Sequence, residues 1–303
     1  MRKIGHFSVF SFLVLSLAIL FFSVSSANAD GILGPALATF SVLGASTVTN
    51  TGATTLTGDL GVSPGSAITG ESTITVNGTN AAMIGNPFVH SNDAVSISAQ
   101  SQLAAAKTEL GSLGAGTLLP ANLAGLTLSP GVYTVPAGIS NLTGTLTLNG
   151  QGNLNAFWVF QMPSTLITSP GSVVNVINTG AGAGLFWNVG SSATLDTTTS
   201  FEGNILALTS ITLNTGATDQ CGRALAHAGA VTMDANTLSI GCTNLVGGGT
   251  GTGGSGGGLG GGLTVPPGGG IPTPLPVNTP EPGTMLLLGS GLASFLCMIR
   301  MKR

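Results

Sequence analysis

Short runs that alternate apolar residues with Thr, Ser or Asn recur through the middle of the chain. Residues 72–77 read Ser-Thr-Ile-Thr-Val-Asn, and further strand-like runs occupy 126–128, 131–135, 143–148 and 157–161. Alternation with a period of two, bounded by Gly and Asn, is typical of short β-strands that bury one side. The pattern therefore predicts a protein built mainly from β-strands.

A repeat of about 19 residues organises the second half of this pattern. Gly184, Gly203 and Gly222 are 19 residues apart. Asn155 lies ten residues before Thr165, just as Gly184 lies ten residues before Thr194, which predicts a fourth copy of the repeat upstream. A fixed period this short predicts a β-solenoid, in which each coil packs against its neighbours. The repeat aligns three threonines in Thr-Leu-Asp, Thr-Leu-Asn and Thr-Met-Asp: Thr194, Thr212 and Thr232.

Two other features extend the repeat. Residues 50–54 read Asn-Thr-Gly-Ala-Thr, and the same sequence recurs at 214–218, so the N-terminal strands are predicted to join the same solenoid. In the proposed alignment, Phe157-Trp158 and Phe186-Trp187 occupy equivalent positions. We expect these aromatic side chains to pack in the core or against a covering element.

That covering element is predicted at residues 91–110, where the strand pattern stops. Ser91, Asn92 and Asp93 are helix-capping residues, and Gly111 is a typical helix terminator. A helix of roughly 18 residues rises about 1.5 Å per residue and would therefore run beside five or six coils. Its partial apolar stripe consists of Val95, Ile97, Leu103, Ala106 and Leu110.

The chain is predicted to divide into four parts. Residues 1–29 combine a basic start, an apolar run and Ala-Asn-Ala before Asp30, which is typical of a secretory signal peptide. Residues 30–245 hold the solenoid, and residues 246–277 form a Gly-rich and then Pro-rich linker. Residues 278–303 form a tail in which an apolar run with basic residues after it predicts a membrane span at 283–299.

Composition narrows the classes of function. Charged residues are 6% of the chain, where about 25% is usual, and the scarcity of Lys and Arg excludes strong attraction to nucleic acid. The carboxylates are scattered and match no paired-carboxylate, nucleophile, phosphate-loop or metal-ligand pattern. We therefore predict that the protein is not an enzyme and has no catalytic residue, cofactor or metal site. The carboxylates considered were Asp59, Asp196, Glu202, Asp219 and Asp234.

Two cysteines lie in the exported part of the chain. Cys221 and Cys242 are 21 residues apart, about one coil of the solenoid, and adjacent strands lie about 4.8 Å apart. A disulfide between them is within reach and is favoured by export to an oxidising space. Two unpaired thiols in the last coil are the alternative interpretation.

The tail reads Asn278-Thr-Pro-Glu-Pro-Gly before its apolar run and basic end. It resembles the PEP-CTERM sorting signal of Gram-negative bacteria, with Pro280, Glu281 and Pro282 as the sorting motif. The resemblance implies transient anchoring in the inner membrane, removal of the tail by an exosortase, and release to the cell surface or extracellular polysaccharide. A plain C-terminal membrane anchor is the alternative.

Four segments of the solenoid region are distinctive: Ala38-Thr-Phe-Ser-Val-Leu-Gly, Thr47-Val-Thr-Asn-Thr-Gly, Gly58-Asp-Leu-Gly-Val-Ser-Pro-Gly and residues 203–217. They resemble the ice-binding protein family of sea-ice bacteria, fungi and algae, and the likeness extends over about 34–244. It implies an all-β fold, a discontinuous right-handed β-helix of triangular section with one long helix packed alongside. Discontinuity means that the N-terminal strands lie among or beside later coils. We expect a capped solenoid of this kind to be a monomer.

The resemblance implies a secreted protein that adsorbs to ice or ordered water and inhibits ice growth and recrystallisation. Threonine suits this task because it presents a methyl group and a hydroxyl on a side chain that is stiff at χ1. A solvated β-surface without ice activity, in an extracellular matrix or adhesion protein that binds polysaccharide, is the alternative. The candidate ice-binding residues are Thr51, Thr54, Thr194, Thr197, Thr212, Thr215, Thr218, Thr232 and Thr237.

Overall fold

The computed structural model describes residues 32–180 and 182–241. All of these residues belong to one compact unit of the chain. Two short 3-10 turns span Leu37–Thr39 and Glu71–Thr73. The other elements, in chain order, are β1 (Phe40–Gly44), β2 (Thr47–Thr51), β3 (Thr54–Thr57), β4 (Asp59–Val62), β5 (Ala67–Thr69), β6 (Ile74–Val76), β7 (Thr79–Asn80), β8 (Val89–Ser91), α1 (Ala94–Ser112), β9 (Thr117–Leu118), β10 (Thr127–Leu128), β11 (Gly131–Thr134), β12 (Thr145–Asn149), β13 (Phe157–Met162), β14 (Leu166–Ile167), β15 (Val173–Ile177), β16 (Gly184–Val189), β17 (Ala193–Leu195), β18 (Ser200–Ala207), β19 (Ile211–Leu213), β20 (Thr218–Ala226), β21 (Val231–Asp234) and β22 (Thr237–Ser239).

These strands form a parallel β-helix with three faces. The helix-covered face contains β9, β11, β13, β16, the second halves of β18 and β20, then β1, β4 and β8. The six-stranded face has the order β14-β17-β19-β21-β2-β5. The third face contains β10, β12, β15, the first halves of β18 and β20, then β22, β3, β6 and the antiparallel β7. The three faces enclose one apolar interior, and the short strands therefore alternate residues that point into it with residues that point outward.

The β-helix is discontinuous, as predicted. On every face the N-terminal strands follow the last C-terminal strands, so that β1 pairs with β20, β2 with β21 and β3 with β22. The helix α1 then connects β8, at one end of the stack, to β9, at the other end. Its 19 residues span about 28 Å at 1.5 Å per residue, which matches about six strand spacings.

The helix packs on the solenoid through one narrow stripe. Asp93 is its N-cap and forms a reciprocal capping box with Ser96. The buried stripe of the helix consists of Ser96, Ala99, Leu103, Ala106 and Leu110. Val95 and Ile97, which the sequence placed in the stripe, are instead 40% and 53% exposed. The stripe meets Phe186, Leu206 and Leu225 of the covered face, together with residues of the N-terminal segment, in a second apolar core.

Polar contacts also hold the helix. The Lys107 ammonium donates to Asn188 Oδ1 at 2.9 Å and to the carbonyl oxygens of Val189 and Leu206 at 3.0 and 2.7 Å. Burial lowers the pKa of Lys107 to about 8, yet three acceptors match the three N–H groups of its charged form. The helix is therefore tied to two successive coils by one side chain.

The predicted fourth copy of the repeat exists, but in a different register. Val159, not Phe157, lies opposite Phe186, and Ile167, not Thr165, lies opposite Thr194. The alignment by Phe-Trp was wrong by two residues because a two-residue shift along a strand keeps the same side chains inside. The aromatic residues do pack in the core, as expected: Trp158 and Trp187 are buried, and Trp187 stacks on Phe160 at 4.1 Å between ring centroids.

Candidate functional site

A column of threonines runs across the six-stranded face. Strand pairing places Thr194 opposite Thr212, Thr212 opposite Thr232, Thr232 opposite Thr49, and Thr49 opposite Thr69. Five successive strands therefore present threonine at one outward position. At about 4.8 Å between strands, the column is about 19 Å long. The residues just before the first four of these threonines, such as Ile211 and Val231, are buried, and Ile68 before Thr69 is partly buried, which fixes the outward direction of the column.

The threonine column is regular and open to solvent. None of the strand pairs along it contains a register shift. Among the described residues, the hydroxyls of Thr49, Thr194, Thr212 and Thr232 have no hydrogen-bond partner in the protein, while Thr69 Oγ1 lies 3.5 Å from the Val48 carbonyl oxygen. These hydroxyls are therefore free to bind water in a repeating arrangement.

Small side chains flank the column. Two residues before each threonine, the same side of the sheet carries Ser192, Ser210, Ala230, Thr47 and Ala67. The two serine hydroxyls are occupied by the next coil, because Ser192 Oγ accepts from the Ser210 amide and Ser210 Oγ accepts from the Ala230 amide. No long or charged side chain therefore rises beside the threonines on this side.

The corner between the six-stranded face and the third face is a second ladder. One residue of each coil turns there with positive φ: Gly171, Thr198, Gly216, Ala235 and Gly52. Backbone hydrogen bonds link the successive turns, for example from the Gly216 amide to the Asp234 carbonyl oxygen. The recurring Thr-Gly dipeptide is thus explained by the left-handed conformation that a tight corner requires.

Three predicted residues lie at this corner and not on a flat face. Thr197 and Thr215 precede the left-handed residues of their coils, and Thr51 ends β2. In the next coil Asp234 takes the position of Thr215, because the turn after β21 is one residue shorter than the turn after β19. Thr215 Oγ1 donates to Asp234 Oδ2, which ties down that carboxylate.

The remaining predicted threonines lie on the third face or inside the protein. Thr218 and Thr237 are paired neighbours on the third face and point outward. Thr54 is 2% exposed, and its hydroxyl donates to Asn50 Oδ1 at 2.7 Å and accepts from the Asn236 amide at 3.1 Å. Its prediction as a surface residue is therefore wrong. The structure divides the nine threonines among the six-stranded face, the corner, the third face and the core.

Thr49 and Thr69 belong to the column but were not predicted. Both lie in the N-terminal strands: Thr49 pairs with Thr232, 183 residues away in the sequence, and Thr69 pairs with Thr49, 20 residues away. A 19-residue period cannot reveal the pairing of Thr49 with Thr232, although the alternation in Thr47-Val-Thr-Asn-Thr was a usable signal for outward threonines.

A buried acidic corner, formed by Glu202 and Asp219, lies at a β-bulge between β18 and β20. Burial raises the pKa of Glu202 to about 8. Burial also raises the pKa of Asp219 well above its usual range, and the nearby Glu202 adds to this effect while Arg223 opposes it. The Arg223 guanidinium is fully buried and donates to Asn204 Oδ1 and to the Ala38 carbonyl oxygen. Both carboxylates are shielded from solvent, with Glu202 8% and Asp219 1% exposed.

Other predicted features lie partly outside the described residues. Cys221 is disulfide-bonded, whereas Cys242 and the motif Pro280, Glu281 and Pro282 lie outside them, as does the predicted span 283–299. Within the described ranges, no helix has the length and apolar content that crossing a membrane requires. The same part of the chain contains no group of three or more His, Cys, Asp or Glu side chains placed to hold a metal ion.

The fold and the site define a class of protein: a parallel β-helix with a covering helix and an exposed face of regularly spaced threonines. Residues 42–239 match the domain family described as Ice-binding-like, and this match covers more than half of the chain. The chain therefore belongs to the ice-binding-like family. Residues 278–302 match the PEP-CTERM protein-sorting motif, which confirms the predicted sorting tail.

Similar proteins support the same assignment. An ice-binding protein of Nostoc sp. (strain HG1) is 49% identical over 204 residues, which cover 67% of this chain and 72% of that protein. The crystal structure of an ice-binding protein from an Antarctic biological consortium aligns with a TM-score of 0.60 and 40% identity, covering 68% of this chain and 90% of that chain. That of the Antarctic ascomycete Antarctomyces psychrotrophicus gives a TM-score of 0.61 and 35% identity, covering 70% and 98%. These similarities confirm the predicted family and its β-helix fold.

Proposed function

We propose that the protein binds ice through the six-stranded face and thereby inhibits ice growth and recrystallisation. One observation carries the proposal: threonine occupies the same outward position on five successive strands. Relatives that are named ice-binding proteins support it. The proposed activity is binding by a monomer, without a catalytic residue, cofactor or metal ion.

The geometry of the column suits an ordered lattice of water. Strand pairing fixes the spacing at about 4.8 Å, so the face needs no rearrangement before it meets a crystal. Threonine side chains are stiff at χ1, and ordering them therefore costs little entropy on binding. Each threonine offers a methyl group for apolar contact and a hydroxyl for an anchored water. The flanking residues Ser192, Ser210 and Ala230 are small and leave one side of the column open for contact.

Replacing Thr232 with Tyr tests this assignment. Thr232 is the middle threonine of the column and is exposed, so a phenol ring there would hold the face away from a flat crystal. We expect at least a tenfold loss of recrystallisation inhibition, which corresponds to about 1.4 kcal/mol. Thr108→Tyr on the exposed side of α1 is the matched control, with unchanged activity expected. Equal activity of the two variants would remove the six-stranded face from the proposal, and a wild-type protein without ice activity would refute ice binding itself.

We also propose that the chain is exported, held briefly in the inner membrane by residues 283–299 and released by an exosortase. The PEP-CTERM match and the signal-like residues 1–29 support this route, with residues 246–277 as a linker between solenoid and tail. The released protein would stay at the cell surface or in extracellular polysaccharide. In cell fractionation, Glu281→Ala should leave the uncut precursor in the membrane fraction. Release at the wild-type rate would contradict the proposal.

A further inference from the structure

The third face carries a second column of hydroxyl side chains. Ser200, Thr218, Thr237, Thr55 and Thr75 lie opposite one another on β18, β20, β22, β3 and β6. We propose that this face binds a second plane of ice, so that the protein has two ice-binding faces. This inference rests on the proposed ice binding and adds a site to it.

The column is held as firmly as the first one. The inward neighbours Leu238, Leu56 and Val76 are 0% exposed, so the strands sit on a packed core. Among the described residues, the hydroxyls of Thr55, Thr75, Thr218 and Thr237 have no protein partner, and they are left for water. The surface therefore repeats the features that suit the six-stranded face to an ordered lattice.

The third face also lacks exposed charge where the column is continuous. No Lys, Arg, Asp or Glu takes an outward position on the described strands β22, β3 and β6, and on β20 the carboxyl of Asp219 points inward and is 1% exposed. A macromolecular partner of opposite charge has nothing to recognise on these strands. These strands suit a neutral ligand that forms hydrogen bonds at regular spacings, and ice is such a ligand.

The two faces display different grids of hydroxyl groups. On the third face, Thr57 and Ser239 form a second hydroxyl column, about 6.6 Å along the strands from Thr55 and Thr237. On the six-stranded face, the corresponding flanking column is mixed Ser, Ala and Thr. Because crystal planes differ in the spacing of their water molecules, we expect the two faces to select different planes.

The corner fixes the faces relative to each other. The Asn236 side-chain amide donates to the carbonyl oxygens of Asn214 and Ala217, both at 2.9 Å, and the Ala235 amide donates to the Thr51 carbonyl oxygen. These bonds cross three coils at the turn between the faces. Each face can therefore meet ice without depending on rearrangement of the other.

The experiment is ice-plane affinity. The purified chain, fluorescently labelled at its amino terminus, is adsorbed to a single ice crystal. The crystal planes that become fluorescent, called the lit planes, are recorded for four proteins. These are wild type, Thr232→Tyr on the six-stranded face, Thr237→Tyr on the third face, and Thr108→Tyr on the helix as the matched control. We expect two sets of planes for wild type and the control, and the loss of a different set in each face variant. Circular dichroism and the midpoint of thermal unfolding verify that all four are folded.

Each outcome decides between the two proposals. If Thr237→Tyr lights the same planes as wild type while Thr232→Tyr lights none, the second face is refuted and ice binding by the first stands. If Thr237→Tyr alone abolishes all adsorption, the third face is the single site and both the second-face inference and the assignment to the six-stranded face are wrong. If wild type lights no plane, ice binding itself is refuted.

Discussion

Replacing Glu202 with Gln tests how far the buried acidic corner limits stability at alkaline pH. Burial raises the pKa of Glu202 from its ordinary value of 4.5 to about 8, so the folded protein keeps a proton there that the unfolded chain releases. Folded protein therefore binds more protons between about pH 4.5 and pH 8, and its stability falls as pH rises through that window. The contribution of Glu202 is complete below about pH 4.5. The raised pKa of Asp219 acts in the same direction.

The size of the effect follows from the same values. One pKa unit corresponds to about 1.4 kcal/mol, so the Glu202 carboxyl lowers the free energy of unfolding by up to about 5 kcal/mol at pH 8. That is a large part of the 5–15 kcal/mol typical of folded proteins. Glu202→Gln keeps the shape without the charge, and we expect it to recover most of this loss at pH 8 while matching wild type at pH 4.5.

Urea unfolding at pH 4.5 and pH 8 measures the effect. With a slope of about 2–3 kcal/mol per molar urea, the Gln variant should unfold at up to about 2 M more urea than wild type at pH 8. Glu109→Gln on the exposed side of α1 is the matched control and should follow wild type. A wild-type midpoint that is the same at both pH values, or a control that gains the same stability, would show the reasoning to be wrong.

Two further predictions separate packing from ice contact. Thr54→Val leaves the Asn50 and Asn236 polar groups without their buried partner and should lower the free energy of unfolding by about 1–3 kcal/mol, while each folded molecule keeps full recrystallisation inhibition. Thr232→Val should keep the free energy of unfolding and lose recrystallisation inhibition. A loss of inhibition in the folded Thr54 variant would contradict this separation of packing from ice contact. Leu103→Ala empties a fully buried site between α1 and the solenoid and should cost about 2–5 kcal/mol in chemical denaturation, whereas Ala105→Ser on the exposed side of the helix should cost under about 0.5 kcal/mol.

The strand content and the central threonines could be predicted because they depend on local periodicity. Thr194, Thr212 and Thr232 are in neighbouring coils of nearly equal length, so the sequence period aligned them correctly. Thr54 was misplaced because the corner at Gly52 changes which residues of the strand face inward. Phe157 was misaligned because a two-residue shift preserves the inside-outside pattern and leaves the register undetermined.

Long-range pairing was beyond the reach of local patterns. Thr49 joins the column by pairing β2 with β21, which requires knowing which distant strands meet. The packing side of the helix is also set by the solenoid that it meets: the buried positions Ser96, Ala99, Leu103, Ala106 and Leu110 follow the three- and four-residue spacing of one helix face. Val95 and Ile97 lie off that face and are exposed.

The pairing of β2 with β21 also governs when the surface comes into existence. A regular solenoid can add coils in sequence order as its chain emerges, but here Thr49 meets Thr232 across 183 positions of the chain. Contacts this distant slow folding, because a long loop must close before they form. On the export route proposed above, a chain still passing through the membrane lacks the pairing that completes the column, and the edge of β2 stays open. On that route the complete face forms only after residue 234 has emerged on the far side of the membrane.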